Sequence, residues 1–389
     1  MMPALLLTAL VSADPVLAAP GVSGARATGP HLPALSGPHA VGRVLLRWVD
    51  RTRVDPVGGG SARQLLAWVW YPAQGADGGL PEVALPGTWG ERRASFNRRT
   101  YGDRAAQALA GLRVHAVTGR APAPVRSPVV LFSAGAGQLP TDYSLLIEDL
   151  VSHGYVVVGL ASPSLACVVR LPDGREVTQA PGLPERLALE DLLFARTQLA
   201  ALDLEQDSPL HGRLDLARVA AVGHSLGGVA SVAACGEAPA LRACVNLDGD
   251  FVGAALEGEA RQPLLYVTTD ASPLSDSLHW WQLPLGWNER RRTHAWTAAS
   301  RSASAAVRAH VAGTLHGNFQ DAALLPSSWM QEDKRAERLG PIGGERGIRL
   351  TGELMRTFLE HHLSGRGSEL PDFPAWHAAE VSATAKNSH

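Results

Sequence analysis

Ala220-Ala221-Val222-Gly223-His224-Ser225-Leu226-Gly227-Gly228-Val229-Ala230 sets a serine between two glycines, directly after an apolar run and directly before a stretch of small residues. Glycines two before and two after the serine let a strand and the following helix approach closely through a sharp turn. At such a turn the serine backbone is strained, its hydroxyl stands at the end of a sheet, and the first helical amides lie beside it. The pattern predicts a nucleophile elbow. A glycine-rich turn that contains serine by chance spells the same five letters, so the surrounding chain has to decide.

Around the elbow the chain alternates. Residues 128–134 (PVVLFSA), 155–160 (YVVVGL), 218–223, 241–247, 263–269 (PLLYVTT) and 307–313 are short apolar runs that read as buried strands. Between them lie helical patterns over 141–153, 185–204 and 226–235, and a last one over 347–363 with Leu350, Leu354, Phe358 and Leu359 on one face. Thr141 is the candidate N-cap of the first, with Gly154 just past its end. Such alternation predicts an α/β protein with a mostly parallel central sheet and helices on both faces. Upstream, the runs 41–53 and 63–71 flank the turn-formers of 55–60 and predict an antiparallel hairpin at one edge of the sheet. Residues 72–127 read as irregular, with one helix near 103–112. Ser225 then follows the third strand of the alternating part, at the carboxyl end where open α/β sheets bind ligands.

Composition sets the outer limits. The 389 residues are 46% hydrophobic and 19% charged, as in a globular protein with a large core, and the net charge of −2 lacks the basic excess of a nucleic-acid binder. No run reaches the roughly 18 apolar residues of a membrane span. The three cysteines, Cys167, Cys235 and Cys244, have no metal-ligand spacing. Cys235 and Cys244 are positioned to pair if the protein is exported, and three free thiols are the alternative. Residues 1–36 are a candidate signal peptide and flexible entry, with an apolar stretch over 4–11 and small residues at Ala18-Ala19. No basic residue precedes that stretch, and Asp14 interrupts its continuation, so secreted or periplasmic and cytoplasmic locations both stay open. The catalytic domain is expected over 37–365, with insertions at 72–127 and 271–302, followed by a tail at 366–389.

A serine hydroxyl is a weak nucleophile, so it needs a histidine base, and the base needs a carboxylate to fix its tautomer. When a strand-helix elbow carries the serine, the partners follow in the order Asp or Glu, then His. Asp248 stands in VNLDGD and Asp270 closes YVTTD, at the ends of consecutive strands, and each is a candidate acid. His316, in GTLHGNFQD just beyond the last strand, is the leading base. His310 lies within that strand as a packed or face-exposed side chain, His361 and His362 are expected to face solvent, and His224 is expected to pack against the sheet. An oxyanion site needs two amides. Leu226 supplies one, and the loop Ala134-Gly135-Ala136-Gly137 is the candidate source of the other.

Taken together, these blocks resemble the platelet-activating-factor acetylhydrolases of the plasma and intracellular type. The resemblance covers residues 37–365 and rests on GPHAVGRVLLRWVDRTRVDP, VWYPAQG, VVLFSAGAGQLPTDYS, SHGYVVVGL, GHSLGG, VNLDGD and LHGNFQD in that order. It implies an α/β-hydrolase fold, Ser225 as nucleophile, Asp248 as acid, His316 as base, and the amides of Leu226 and Ala136 as the oxyanion hole. Dienelactone hydrolases and cutinase-like polyesterases place the acid one strand later, at Asp270. Ala134 and Ala161-Ser162-Pro163 depart from the family pattern, which bears on pocket shape rather than on the triad.

The expected activity is metal-independent and cofactor-independent hydrolysis of short-to-medium acyl esters or phospholipid-type esters through an acyl-enzyme, with transient contact with a lipid surface. A lipase or polyesterase of long or polymeric esters is the alternative within enzymes, and an inactive binding module on the same fold is the alternative outside them. Trp280, Trp281, Trp287 and Trp296 fall in the insertion that leaves the sheet after Asp270 and returns before His316. Trp280, Trp281 and Trp287 are candidate walls of an acyl pocket with Arg290, Arg291 and Arg292 at its rim, or else core indoles.

Overall fold

The computed structural model describes residues 29–75, 82–182, 186–249, 260–270, 296–297, 299–364 and 377–387. The chain enters through a long hairpin, β1 (Ala40–Val54) and β2 (Ala62–Ala73), paired antiparallel from Ala40↔Ala73 to Asp50↔Arg63, then irregular to Val54↔Ala62. β3 (Glu82–Val83), α1 (Gly87–Tyr101), α2 (Asp103–Ala110), β4 (Arg113–Val114) and β5 (Val117–Thr118) fill the first insertion. α1 escapes a hydrophobic reading for a physical reason. Its inward face carries Trp89, Arg93, Asn97 and Tyr101 at helical spacing, so half of what it buries is polar.

The alternating part follows as β6 (Ser127–Ser133), α3 (Ser144–Ser152), β7 (Val156–Ala161), the small hairpin β8 (Val168–Arg170) and β9 (Glu176–Thr178), and α4 (Arg186–Leu204). Then come β10 (Leu214–His224), α5 (Leu226–Glu237), β11 (Ala243–Leu247), β12 (Leu264–Thr268), β13 (Ala305–Val311), α6 (Glu332–Arg338), α7 (Gly344–Leu363) and β14 (Val381–Asn387). Ten strands form one sheet in the order β14-β13-β12-β11-β10-β6-β7-β2-β1-β5. The run from β13 to β7 is parallel, and β14 and β2 pair antiparallel at its two ends. Residues 381–387, expected as tail, therefore close one edge of the sheet.

Because the parallel strands are covered on both faces, their successive residues serve opposite cores. Phe132, Val222, Val245, Leu265 and Val307 pack with α3 and α7 on one face. Leu131, Ala221, Cys244, Leu264 and Tyr266 pack with α4 and α5 on the other. Cys235 of α5 and Cys244 of β11 are joined in a disulfide with their Cα atoms 6.4 Å apart, and Cys167 is a buried free thiol. His361 and His362 differ from expectation. Both are buried at the end of α7, where the His362 ring meets Phe358 edge-on with centroids 4.5 Å apart. The cause is that α7 packs along its whole length, with buried side chains up to Leu363.

Candidate active site

Five parallel strands deliver the site from their carboxyl ends. β10 ends at His224, and Ser225 follows with φ 54° and ψ −122°, the strained turn the sequence requires. A Cβ on Gly223 would collide with the Gly227 carbonyl, and one on Gly227 with the Ser133 carbonyl, so both elbow glycines are demanded by close approach. The Ser225 N–H donates to the Leu247 carbonyl at 2.9 Å, which ties the elbow to β11. Leu226 opens α5, where amides lack an intrahelical acceptor. Ala136 lies half-buried in the loop after β6, between Gly135, whose N–H reaches Tyr143 Oη at 3.3 Å, and Gly137, whose N–H donates to Leu165 O at 2.8 Å.

Asp248 directly follows β11 with φ 52°, a left-handed conformation that short polar side chains tolerate. Its carboxylate is buried and accepts from Thr269 N at 3.2 Å (Oδ1) and Thr269 Oγ1 at 2.8 Å (Oδ2). Oδ2 also lies 2.8 Å from His316 Nδ1. The bend beyond Asp248 is fixed by Asn246, whose side chain accepts from Gly249 N at 2.7 Å and donates to Gly249 O at 3.1 Å. His316 begins a 3-10 turn, His316–Phe319, that follows β13. Asn318 Oδ1 holds this turn by accepting from Leu315 N and Gly340 N, each at 2.7 Å.

Asp270 stands elsewhere. Its Oδ1 is 3.0 Å from His310 Nε2, and its Oδ2 accepts from Gly313 N at 2.8 Å. Its own N–H donates to Thr314 O at 2.9 Å. The structure thus brings Asp248 to His316 and Asp270 to His310. His224 is fully buried, as the sequence reading expects. Its Nδ1 lies 2.8 Å from Tyr143 Oη, and its ring sits 4.5 Å, centroid to centroid, from that of His316. Burial, reinforced by the neighbouring His316, holds its pKa well below the ordinary histidine value. Trp280, Trp281 and Trp287 lie outside the described residues, whereas Trp296 stacks on Tyr266 at 5.9 Å.

Sequence reasoning did not anticipate Thr269, Asn318 or Tyr143. Thr269 and Asn318 act through neighbours on other strands and turns, and a threonine or asparagine at a strand end has no distinguishing pattern. Tyr143 is readable only as part of the TDYS block.

Comparison with known proteins bears on the same residues. A family described as platelet-activating factor acetylhydrolase, isoform II, matches residues 196–379, a span that holds Ser225, Asp248 and His316. No curated protein matches the chain. Among solved structures, a ferulic acid esterase from Streptomyces cinnamoneus is similar with a TM-score of 0.70 and 26% identity, over 91% of this chain and 99% of that one. The chain has the α/β-hydrolase fold, its residues 196–379 carry the pattern of the platelet-activating factor acetylhydrolase, isoform II, family, and it is a carboxylic ester hydrolase.

Proposed function

We propose that the protein hydrolyses short-to-medium acyl esters or lipid-type esters through an acyl-enzyme on Ser225, with His316 as base and Asp248 as its carboxylate. The observation that carries this reading is the 2.8 Å contact of His316 Nδ1 with Asp248 Oδ2, with the His316 ring 4.5 Å from that of His224, the residue before the strained Ser225. A proton on Nδ1, donated to the carboxylate, leaves the Nε2 lone pair free to act as base. Ser225 Oγ then bonds to the ester carbonyl carbon as Nε2 takes its proton. The carbonyl electron pair moves onto oxygen, where the amides of Leu226 and Ala136 receive it. Collapse re-forms the carbonyl and breaks the ester C–O bond, and the alcohol leaves with the proton from Nε2. Water repeats the sequence on the acyl-enzyme, releasing the acid and returning the proton to Oγ.

The acyl-chain wall is assigned to Trp280, Trp281 and Trp287 by their place in the chain between Asp270 and His316. An apolar wall beside Arg290, Arg291 and Arg292 suits an acyl chain with an anionic neighbour. Transient contact with a lipid surface belongs to the same reading. A ferulate ester is the second reading, favoured by the name of the similar structure and by its extent of 91% of this chain.

The test is a substrate panel: p-nitrophenyl esters from acetate to palmitate, an acetylated phospholipid and methyl ferulate. Short acyl and acetyl-phospholipid esters are expected to lead, whereas preference for methyl ferulate or palmitate would replace the proposed substrate class. Ser225→Ala should lower kcat by roughly 10⁴–10⁶ with the melting temperature kept. An organophosphonate should label Ser225 in mass spectra. An adduct on another serine would overturn the mechanism. Trp280→Ala with Trp281→Ala should raise KM for octanoate far more than for acetate.

A further inference from the structure

Tyr143 is buried without exposure in the 3-10 turn Pro140–Tyr143 that leads into α3, yet its hydroxyl reaches two parts of the site at once. The Gly135 N–H donates to Tyr143 Oη at 3.3 Å, and Oη lies 2.8 Å from His224 Nδ1. A buried hydroxyl proton needs an acceptor, and His224 Nδ1 supplies one. The direction of the path follows: Gly135 N–H to Tyr143 Oη, then Tyr143 O–H to His224 Nδ1. Burial pushes the phenol pKa far up, so Tyr143 keeps the proton it donates.

That direction places the single ring proton of neutral His224 on Nε2. This nitrogen is buried beside the main chain of His316 without a well-aligned hydrogen bond. The His224 ring fills the space behind the base, 4.5 Å from the His316 ring and 5.0 Å from that of Phe319. At the other end of the path, Gly135 precedes Ala136. It lies so close over the elbow that an added Cβ would stand 3.2 Å from both His224 Nδ1 and Ser225 Cβ. One hydroxyl therefore joins the loop that presents the Ala136 amide to the wall on which His316 rests.

We propose that Tyr143 and His224 are positioning residues of the hydrolytic reaction, setting the Ala136 amide and the His316 imidazole in register through the path from Gly135 N–H to His224 Nδ1. The inference rests on the Ser225-Asp248-His316 reading. Groups displaced by about an ångström cost an enzyme on the order of 100-fold in rate. Losing the path should therefore act on turnover and leave substrate affinity nearly alone.

The experiment compares Tyr143→Phe, Phe132→Leu, Ser225→Ala and His316→Ala in the full chain on p-nitrophenyl acetate, with melting temperatures and rates of organophosphonate labelling. Phe132 packs against the Tyr143 ring with centroids 5.1 Å apart, and its side chain carries no hydrogen-bonding group, so its variant reports packing loss. Tyr143→Phe is expected to lose about 10–100-fold in kcat and in labelling rate, with KM within about two-fold. Phe132→Leu should melt earlier with kcat near wild type. Full kcat in Tyr143→Phe, a change confined to KM, or an equal kcat loss in Phe132→Leu would overturn the inference while Ser225→Ala and His316→Ala stay inactive. Activity retained in those last two would overturn the triad reading itself, and the inference with it.

Discussion

Asp248 and Asp270 end neighbouring strands in the same sheet, and what each carboxylate accepts sets them apart. Asp248 is buried, takes two bonds from Thr269, and meets the imidazole of His316. Asp270 is half-exposed and clamps the turn after β13 through Gly313 N and Thr314 O, with His310 on its other oxygen. A carboxylate that fixes the tautomer of a base is costly to replace, because its amide donates where an acceptor is needed. Asp248→Asn should therefore lose about 10⁴-fold in kcat with the fold intact. Asp270→Asn should stay within about ten-fold of wild type, since its amide oxygen still accepts from Gly313. Steady-state kinetics on p-nitrophenyl acetate decides. A crippled Asp270→Asn beside an active Asp248→Asn would move the acid one strand along.

At the scale of elements, the start of α3 shows a cap that sequence spacing misplaces. Thr141, the expected N-cap, lies in the preceding 3-10 turn, and the first amides of α3 are satisfied from far along the chain. Asp321 accepts from Ser144 N at 2.7 Å and Leu145 N at 3.0 Å, joining α3 to the segment that follows His316. Arg93 of α1 grips the same region through Asp142, with Nε to Oδ1 at 2.9 Å and an Nη2 pair at 2.7 Å. Removing a capping carboxylate costs about 0.5–2 kcal/mol. Asp321→Ala should lose about that much in urea unfolding, and Asp321→Asn, which keeps an acceptor, should lose less. Equal losses in the two variants would show that the cap contributes little beyond packing.

For the whole molecule, buried carboxyls tie stability to pH. Burial pushes Glu148 up to about 8 from an ordinary 4.5, against the pull of Arg43 and the amides of His115 and Ala116. Burial likewise raises Asp321 to about 7 from 3.8, against its two α3 amides. Folded, each group holds its proton more tightly than it does unfolded. Their stabilisation is therefore complete below about pH 4 and is lost as pH rises through 7 and 8. The slope of one such group approaches about 1.4 kcal/mol per pH unit between its two values. The melting temperature should fall between pH 6 and 8.5, and Glu148→Gln, which cannot ionise, should flatten that fall. An unchanged slope in the variant would show that Glu148 is not its source.

The sequence by itself determined the sheet, the elbow and the short list of partners. Parallel strands buried on both faces must be continuously apolar, and a serine flanked by glycines directly after such a strand permits the close strand-helix approach of an elbow. Chain order alone left both Asp248 and Asp270 open and only the family resemblance implied Asp248, because both follow consecutive strands and the path of the chain after β13 sets which one meets His316. The sequence also left α1 and β14 unseen. α1 buries arginine and asparagine in place of a hydrophobic stripe, and β14 is an edge strand with side chains exposed over residues 382–385 and little apolar pattern to read. The Tyr143 hydroxyl, the Thr269 clamp and the Asp321 cap belong wholly to tertiary structure. Each is a hydrogen bond between segments distant along the chain, and local periodicity carries no record of such bonds.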